Sequence, residues 1–265
     1  MTMDPATLIG IGLALGGIFM SMILEGSSPV AIILPAPMML VLFGTIGAAM
    51  AGGLLKDTTG SIKWLKLALL AKPTTADGLV DDLVKLADRA RKEGLLALED
   101  AASEVEDPFL RRGLELAIDG TDPEELREIL EAEITAKRKE FKQGAKLFAD
   151  MGGYGPTLGV IGTVVSLVHV LANLSSPESL GKLIASAFVA TLWGVMSANV
   201  IWLPLANKIR RLGEIAVQQM ELVIEGVLSI QAGVNPRLIQ QKLRSYLPAD
   251  TGKSAKDEKP AKAAA

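Results

Sequence analysis

Cysteine is absent from this sequence, histidine occurs once, and aromatic residues make up 4% of the 265 positions. Without cysteine the chain can form no disulfide, thiolate metal site or cysteine nucleophile, and a single histidine leaves little for a zinc site. The net charge is −3, so no polycationic surface indicates a nucleic-acid partner. We therefore predict no nucleic-acid binding, no metal site and no cofactor.

Catalytic motifs are also lacking. Neither an HExxH nor a GxSxG pattern occurs, and no Walker lysine follows the glycines at 152, 153 and 155. Nothing in the sequence indicates paired catalytic carboxylates. We predict that the chain is not an enzyme.

Hydrophobic residues are present in excess, at 49% of the chain. Four stretches carry no Asp, Glu, Lys or Arg: Ala6 to Leu24, Gly26 to Leu55, Met151 to Pro177 and Leu183 to Asn207. Each is long enough to cross a hydrocarbon core of about 30 Å, which takes about 20 helical residues. The sequence predicts an all-α polytopic membrane protein with four transmembrane helices and a helical cytoplasmic domain.

Prolines interrupt the second stretch at positions 29, 35 and 37. Because proline removes a backbone donor and clashes with the preceding turn, the regular helix is predicted to start near Pro37, after an irregular segment buried in protein.

Basic residues follow the second and fourth stretches, whereas the two other connections are short. The positive-inside tendency therefore predicts that both termini and the long insertion lie in the cytoplasm. The predicted organisation is 1–55 for the first two transmembrane helices, 56–150 for a cytoplasmic helical domain, 151–207 for the last two, 208–248 for C-terminal cytoplasmic helices and 249–265 for a disordered tail.

Three helices are predicted within the insertion. One carries an apolar face between Leu79 and Ala90, and one begins at Pro108 after the N-cap Asp107. The third begins at Pro123 and runs directly into the third transmembrane helix. Beyond the fourth, Leu212 to Ile230 is predicted to continue as an amphipathic helix, with a final short helix ending near Tyr246.

The third and fourth transmembrane stretches place small and hydroxyl residues on one face. Ala190, Gly194 and Ala198 form a small-xxx-small ridge, and Gly159 precedes Thr163 by one helical turn. Two interpretations stay open here: close helix packing alone, or an ion route lined by Thr163 and Thr191.

No Asp, Glu, Lys or Arg lies inside any of the four stretches. Ion translocation needs an ionisable group at depth, so a second subunit would have to supply a carboxylate. His169 lies near the outer end of its helix, where a structural role is favoured over a proton relay.

Four segments resemble the MotA family, including its sodium-type PomA branch: RKEGLLALED (Arg91 to Asp100), Gly155 to Leu174, Ala187 to Lys208 and Val223 to Leu243. With the order of the four apolar stretches, the resemblance covers residues 1 to about 248.

That resemblance implies a flagellar motor stator subunit of the bacterial inner membrane. It implies a homo-pentamer around two copies of a MotB-like subunit, which supplies the ion-binding aspartate, and torque on the rotor protein FliG. Carried over by position are Arg91 and Glu99 for the rotor contact, Pro156 and Pro204 for conformational coupling, and Thr163 and Thr191 for the ion route.

The residues themselves allow plainer interpretations of these positions. Arg91 and Glu99 are also ordinary solvated charges. Pro156 is predicted to open a helix, where proline is common, and Pro204 to kink one. Thr163 matches a threonine of sodium-type relatives and Thr191 one found in both branches, so H⁺ and Na⁺ both stay open.

Three alternatives remain: an ExbB/TolQ-like ion-driven energiser, a solute transporter and a non-conducting membrane scaffold. The paired N-terminal stretches and the RKEGLLALE segment argue against the first, and the lack of internal repeats argues against the second.

Overall fold

The computed structural model describes residues 4–71, 76–175 and 177–247, which contain no β-strand. The predicted all-α class is confirmed; the predicted tail from 249 lies outside the described residues. The α-helices of the described residues are α1 (Ala6–Leu24), α2 (Pro35–Ala51), α3 (Leu55–Leu70), α4 (Ala76–Glu93), α5 (Leu98–Glu104), α6 (Pro108–Ile118), α7 (Pro123–Ala172), α8 (Pro177–Ser197), α9 (Leu203–Gln231) and α10 (Pro236–Ser245).

Contacts within the chain divide it into two compact units. The first unit comprises residues 1–73 and 137–214, and the second comprises 74–136 and 215–265. The division falls inside α7 and α9, so each of these helices contributes to both units.

Three helical stretches among the described residues are long and apolar enough to cross a membrane: α1, one within α7 and one within 180–231. The fourth predicted crossing, α2, is long and apolar enough only when it is joined to α3, from which it is bent by 119°. Several apolar helices are thus present, and α1 coincides residue for residue with the first predicted stretch.

The connection before α2 is a single 3₁₀ turn, Pro29–Ile32, and α2 begins at Pro35 rather than Pro37. Proline fits the first helical position because its missing N–H would have no partner there. Within the single chain only Ile32 of the turn is buried, and the predicted burial of this segment in protein stays a prediction. Trp193 of α8 holds the turn by donating its indole N–H to the Ile32 carbonyl oxygen at 2.7 Å.

In the first unit α2 packs on α8. The buried residues of α2 recur at every fourth position, the spacing of one helical face: Pro37, Val41, Thr45 and Ala49.

The insertion contains more helices than predicted, since α3 and the short α5 were not anticipated. Both are held by contacts from elsewhere in the chain. The Trp64 ring of α3 meets Phe141 of α7 edge-on at 5.2 Å, and a Cβ added at Gly144 would overlap that ring. Leu98 of α5 is fully buried in the second unit.

The predicted starts of α6 at Pro108 and of α7 at Pro123 are confirmed. The Asp107 carboxylate accepts the N–H groups of Phe109 and Leu110 at 2.8 and 3.0 Å and so caps α6. Gly120, with φ +79°, adopts the left-handed conformation that follows the end of that helix. Residues of α4, α6, α7, α9 and α10 form the core, in which Leu83 packs closely against Gly226.

Glu225 is the most buried carboxylate of the ion pairs in this unit, with 16% of its side chain exposed. It accepts hydrogen bonds from Arg127 at 2.9 Å and contacts the Lys242 ammonium at 2.6 Å. Burial is the largest influence on its pKa and raises it, but the hydrogen bonds and charges of Lys242 and Arg127 together outweigh it. The pKa of Glu225 therefore lies below its ordinary value.

Glu225→Gln should destabilise the chain near neutral pH by about 1–2 kcal/mol, because two cations lose their shared partner but remain partly exposed. A lowered folded pKa gives stability that is present above the unfolded pKa of about 4.3 and is lost as pH falls through the folded value. The parent and variant should thus converge in acid. The measurement is the thermal unfolding midpoint in detergent between about pH 7 and about pH 3.

Glu214→Gln is the matched control, because its ion pair with Arg211 is exposed on both sides and should contribute little. Equal losses in the two variants would contradict the special role of Glu225.

Candidate functional site

Helices α7 and α8 approach each other most closely at glycine. A Cβ added at Gly194 would lie 2.6 Å from the Gly155 carbonyl oxygen and 2.9 Å from the Gly159 Cα. One added at Gly159 would lie 3.1 Å from the Ala190 carbonyl oxygen. The predicted packing of small residues is confirmed, with backbone against backbone.

One helical turn beyond this contact, the two predicted threonines meet. The Thr163 and Thr191 hydroxyl oxygens are 2.5 Å apart, and either can be the donor. Thr163 also donates to the Gly159 carbonyl oxygen of its own helix at 3.0 Å. When it does so, Thr191 donates to Thr163, because each hydroxyl carries one hydrogen.

The pair therefore offers oxygen lone pairs and no fixed charge. Both side chains are half-buried. Hydroxyl oxygens can order a water or replace part of the hydration shell of a cation, but they cannot titrate near neutral pH. The structure brings the predicted residues Thr163 and Thr191 together.

The two predicted coupling prolines differ in their local structure. Pro156 lies inside the 50-residue helix α7, so the prediction that it opens a helix is wrong. The helix starts far earlier, at Pro123, and continues through Pro156 despite the lost N–H donor.

Pro204 is the second residue of α9 and directly follows a π-helical segment, Ala198–Trp202. The Leu203 N–H donates to the Ala198 carbonyl oxygen, five residues back instead of four. Because proline cannot donate to the carbonyl four residues earlier, a widened turn before Pro204 accommodates it. This segment lies within the continuous helical stretch 180–231, and the kink predicted at Pro204 stays a prediction.

Arg91 and Glu99 lie in the second unit, near the end of α4 and in the first turn of α5. Both are exposed, and no ion pair joins either to another residue in the described part of the chain. They are available to a partner surface.

The sequence did not single out Trp193. Its indole bond to the turn before α2 lies two residues from Thr191, so this tryptophan fixes α8 against that turn. No local pattern predicts it, because the acceptor lies 161 positions away. Within the residues described, no cluster of His, Asp or Glu could hold a metal ion.

Sequence comparison gives the class of protein first. The model of the MotA/TolQ/ExbB proton channel family matches residues 101–222, which include the whole of α7 and α8 and most of α9. The chain is therefore similar to a class of helical membrane proteins that conduct ions.

Among individual relatives, Motility protein A of Bacillus subtilis is 39% identical over 248 residues, covering 93% of this chain and 92% of that protein. Chemotaxis protein PomA of Vibrio alginolyticus is 32% identical over 245 residues, or 92% of this chain and 96% of that protein. The chain belongs to the MotA family of flagellar motor stator subunits and is not an enzyme. It is a multi-pass protein of the bacterial inner membrane.

Solved structures agree with this assignment. The C. jejuni MotAB structure superposes with a TM-score of 0.91 at 29% identity and covers 96% of this chain and 100% of that chain. The MotAB stator complex of Bacillus subtilis gives 0.86 at 38% identity, over 91% of this chain and 95% of that one.

Gly194→Ala should separate α7 from α8 and lower stability by about 1–3 kcal/mol, because the added methyl meets backbone atoms that cannot rotate away. The measurement is the thermal unfolding midpoint of the purified chain in detergent. Gly181→Ala is the matched control on the same helix, since nothing lies within 4 Å of its added Cβ. Equal midpoints in both variants would contradict the proposed contact.

Proposed function

We propose that this chain, together with a MotB-like subunit, couples inward flow of H⁺ or Na⁺ across the inner membrane to torque on the flagellar rotor. The observation that carries the proposal is the Thr163–Thr191 hydroxyl pair, which lies between the apolar stretches 151–177 and 183–207 that hold no carboxylate. Such a pair can stabilise a passing ion but cannot bind and release it by titration. The complementary aspartate would come from the MotB-like partner, and the solved structures of relatives are MotAB complexes.

The proposed assembly is a pentamer of this chain around two copies of the partner. Support comes from apolar surface that the single chain leaves uncovered. None of the residues of α1 is buried, and Val168, Leu171 and Phe188 of α7 and α8 are between 62% and 71% exposed. Lipid and neighbouring subunits would cover such faces.

In the proposed orientation four crossings leave both termini and the 56–150 segment in the cytoplasm. The base-rich segments 56–72 and 208–211 then lie on the inner side, as the positive-inside tendency favours. The rotor-facing part would be the helical segment 56–150 with 208–248, and its partner the rotor protein FliG.

The proposal is tested by ion flux into vesicles. The chain alone should conduct little, and co-reconstitution with the MotB-like partner should produce flux that is lost when the partner's transmembrane aspartate is replaced by asparagine. This follows because no Asp or Glu lies within the apolar stretches of the chain. Strong flux from the purified chain alone would refute the need for a second subunit.

Reversing the charges in the double variant Arg91→Glu/Glu99→Lys should strongly reduce swimming torque without changing the amount of protein in the membrane. Both side chains are exposed, so they act through steering and register at the rotor surface rather than through folding. The readout is the rotation speed of tethered cells.

The control reverses Arg211 and Glu214, an equally exposed pair in the first unit. Normal torque in the Arg91 and Glu99 double variant would show that these charges are ordinary solvated residues.

The ion is tested at Thr163. Thr163→Ala removes one hydroxyl of the pair and should lower flux, whereas Thr163→Ser retains the oxygen and should preserve it. Swimming speed is measured against sodium concentration at fixed pH. A steep sodium dependence that is lost only in Thr163→Ala would support coordination of Na⁺, which needs several oxygen ligands. Full speed without sodium would identify H⁺ and leave Thr163 as a water-ordering or packing residue.

A further inference from the structure

A groove of about 750 Å³ opens in the first unit where α2 ends and the chain bends by 119° into α3. Its walls come from the end of α2, the turn at Gly52 and Gly53, one face of α7, and Arg210 of α9. The groove therefore lies where an apolar helix gives way to charged sequence. A membrane surface would be found at such a point.

Cations dominate the lining. Lys139, Lys142 and Lys146 are spaced by three and four residues, so they share one face of α7. Lys146 is paired with Asp150 at 2.5 Å. Lys139, Lys142 and Arg210 form no ion pair with any carboxylate of the described residues.

The other carboxylate that lines the groove, that of Asp57, already accepts two hydrogen bonds. Asp57 accepts the side-chain amide of Gln143 at 2.9 Å and the backbone N–H of Leu54 at 3.3 Å. Lys139, Lys142 and Arg210 thus face the groove without an ion-pair partner. With four cations against two carboxylates in its lining, the groove carries a net positive charge and is complementary to an anionic group.

The same groove has an apolar side. Ala49, Leu54 and Leu147 line this side. Leu54 is 58% exposed, and the adjacent Leu55 is 72% exposed. A free inorganic anion would gain nothing from that wall. A phospholipid would, because its phosphate meets the cations while its acyl chains cover the leucines.

We propose that this groove binds the headgroup of an anionic phospholipid of the cytoplasmic leaflet, with Lys139, Lys142 and Arg210 contacting the phosphate. The site rests on the membrane orientation given under Proposed function, but not on ion conduction or torque. A bound lipid would tie the bend between α2 and α3 to α7 and α9 at the bilayer surface.

The test uses the full chain purified with its MotB-like partner in neutral detergent. Binding of phosphatidylglycerol and phosphatidylcholine is counted by native mass spectrometry, and the thermal unfolding midpoint is recorded with each lipid. The variant is the triple change Lys139→Gln, Lys142→Gln and Arg210→Gln. The matched control, Lys85→Gln, Lys92→Gln and Arg112→Gln, removes the same charge from exposed residues of the second unit.

We expect the parent and the control to bind phosphatidylglycerol in preference to phosphatidylcholine and to be stabilised by it. The groove variant should bind phosphatidylglycerol at least tenfold more weakly, since each basic residue near a membrane surface contributes roughly fivefold. Its midpoint without lipid should match the parent, which shows that it folds.

Three results would overturn the proposal: no preference for phosphatidylglycerol in the parent, equal weakening in both triple variants, or complete displacement of the lipid by excess inorganic phosphate. The first would also follow if a neighbouring subunit covered the groove. Equal weakening would indicate diffuse attraction, and displacement a simple phosphate site. Because binding is measured without an ion gradient, a stator that failed to conduct would leave these outcomes unchanged.

Discussion

The close approach of α7 to α8 is the contact on which the candidate site depends. It is possible only because glycine stands at 155, 159 and 194, where any side chain would meet backbone. In a membrane the hydrophobic effect does not drive helices together, so association relies on such close packing and on hydrogen bonds between helices. The Thr163–Thr191 bond supplies one of these bonds and at the same time forms the polar point between the two helices.

The apolar surroundings of that pair explain why a partner is needed. Charge is excluded from the transmembrane stretches of this chain, since a lone carboxylate there would be costly. The chain can therefore provide a static polar surface, and in the proposed function the group that gains and loses an ion is carried by another subunit. The apolar faces left uncovered on α1, α7 and α8 are consistent with a chain that completes its fold only on assembly.

Helical irregularities are also concentrated in this region. Pro156 is accommodated inside a continuous helix, whereas a π-helical segment precedes Pro204. Widened turns of this kind commonly occur at functional positions. The π-helical segment makes Pro204 the better candidate for the predicted conformational coupling. The segment begins in a packed environment, since Ser197 and Ala198 are fully buried.

The sequence by itself determined the features that depend on one segment at a time. The length of the first uncharged stretch predicted α1 from Ala6 to Leu24. Asp107 followed by Pro108 predicted the start of α6. The absence of buried acid, which implied a partner, is likewise a property of the sequence alone. Residue periodicity along one helix carries this information directly.

Only the tertiary structure decided which segments meet. Thr163 and Thr191 are 28 positions apart, and the bond from Trp193 to Ile32 spans 161. The tertiary structure likewise decided that Glu225 pairs with Arg127 and Lys242 and that the chain bends between α2 and α3. It also placed the unpaired cations in one groove with Leu54. The predicted helix start at Pro156 conflicted with the continuous helix that the sequence also predicted from Pro123, and the structure has the continuous helix. Contacts between segments depend on how whole helices pack, and packing is set by the shapes of both partners rather than by the pattern of either one.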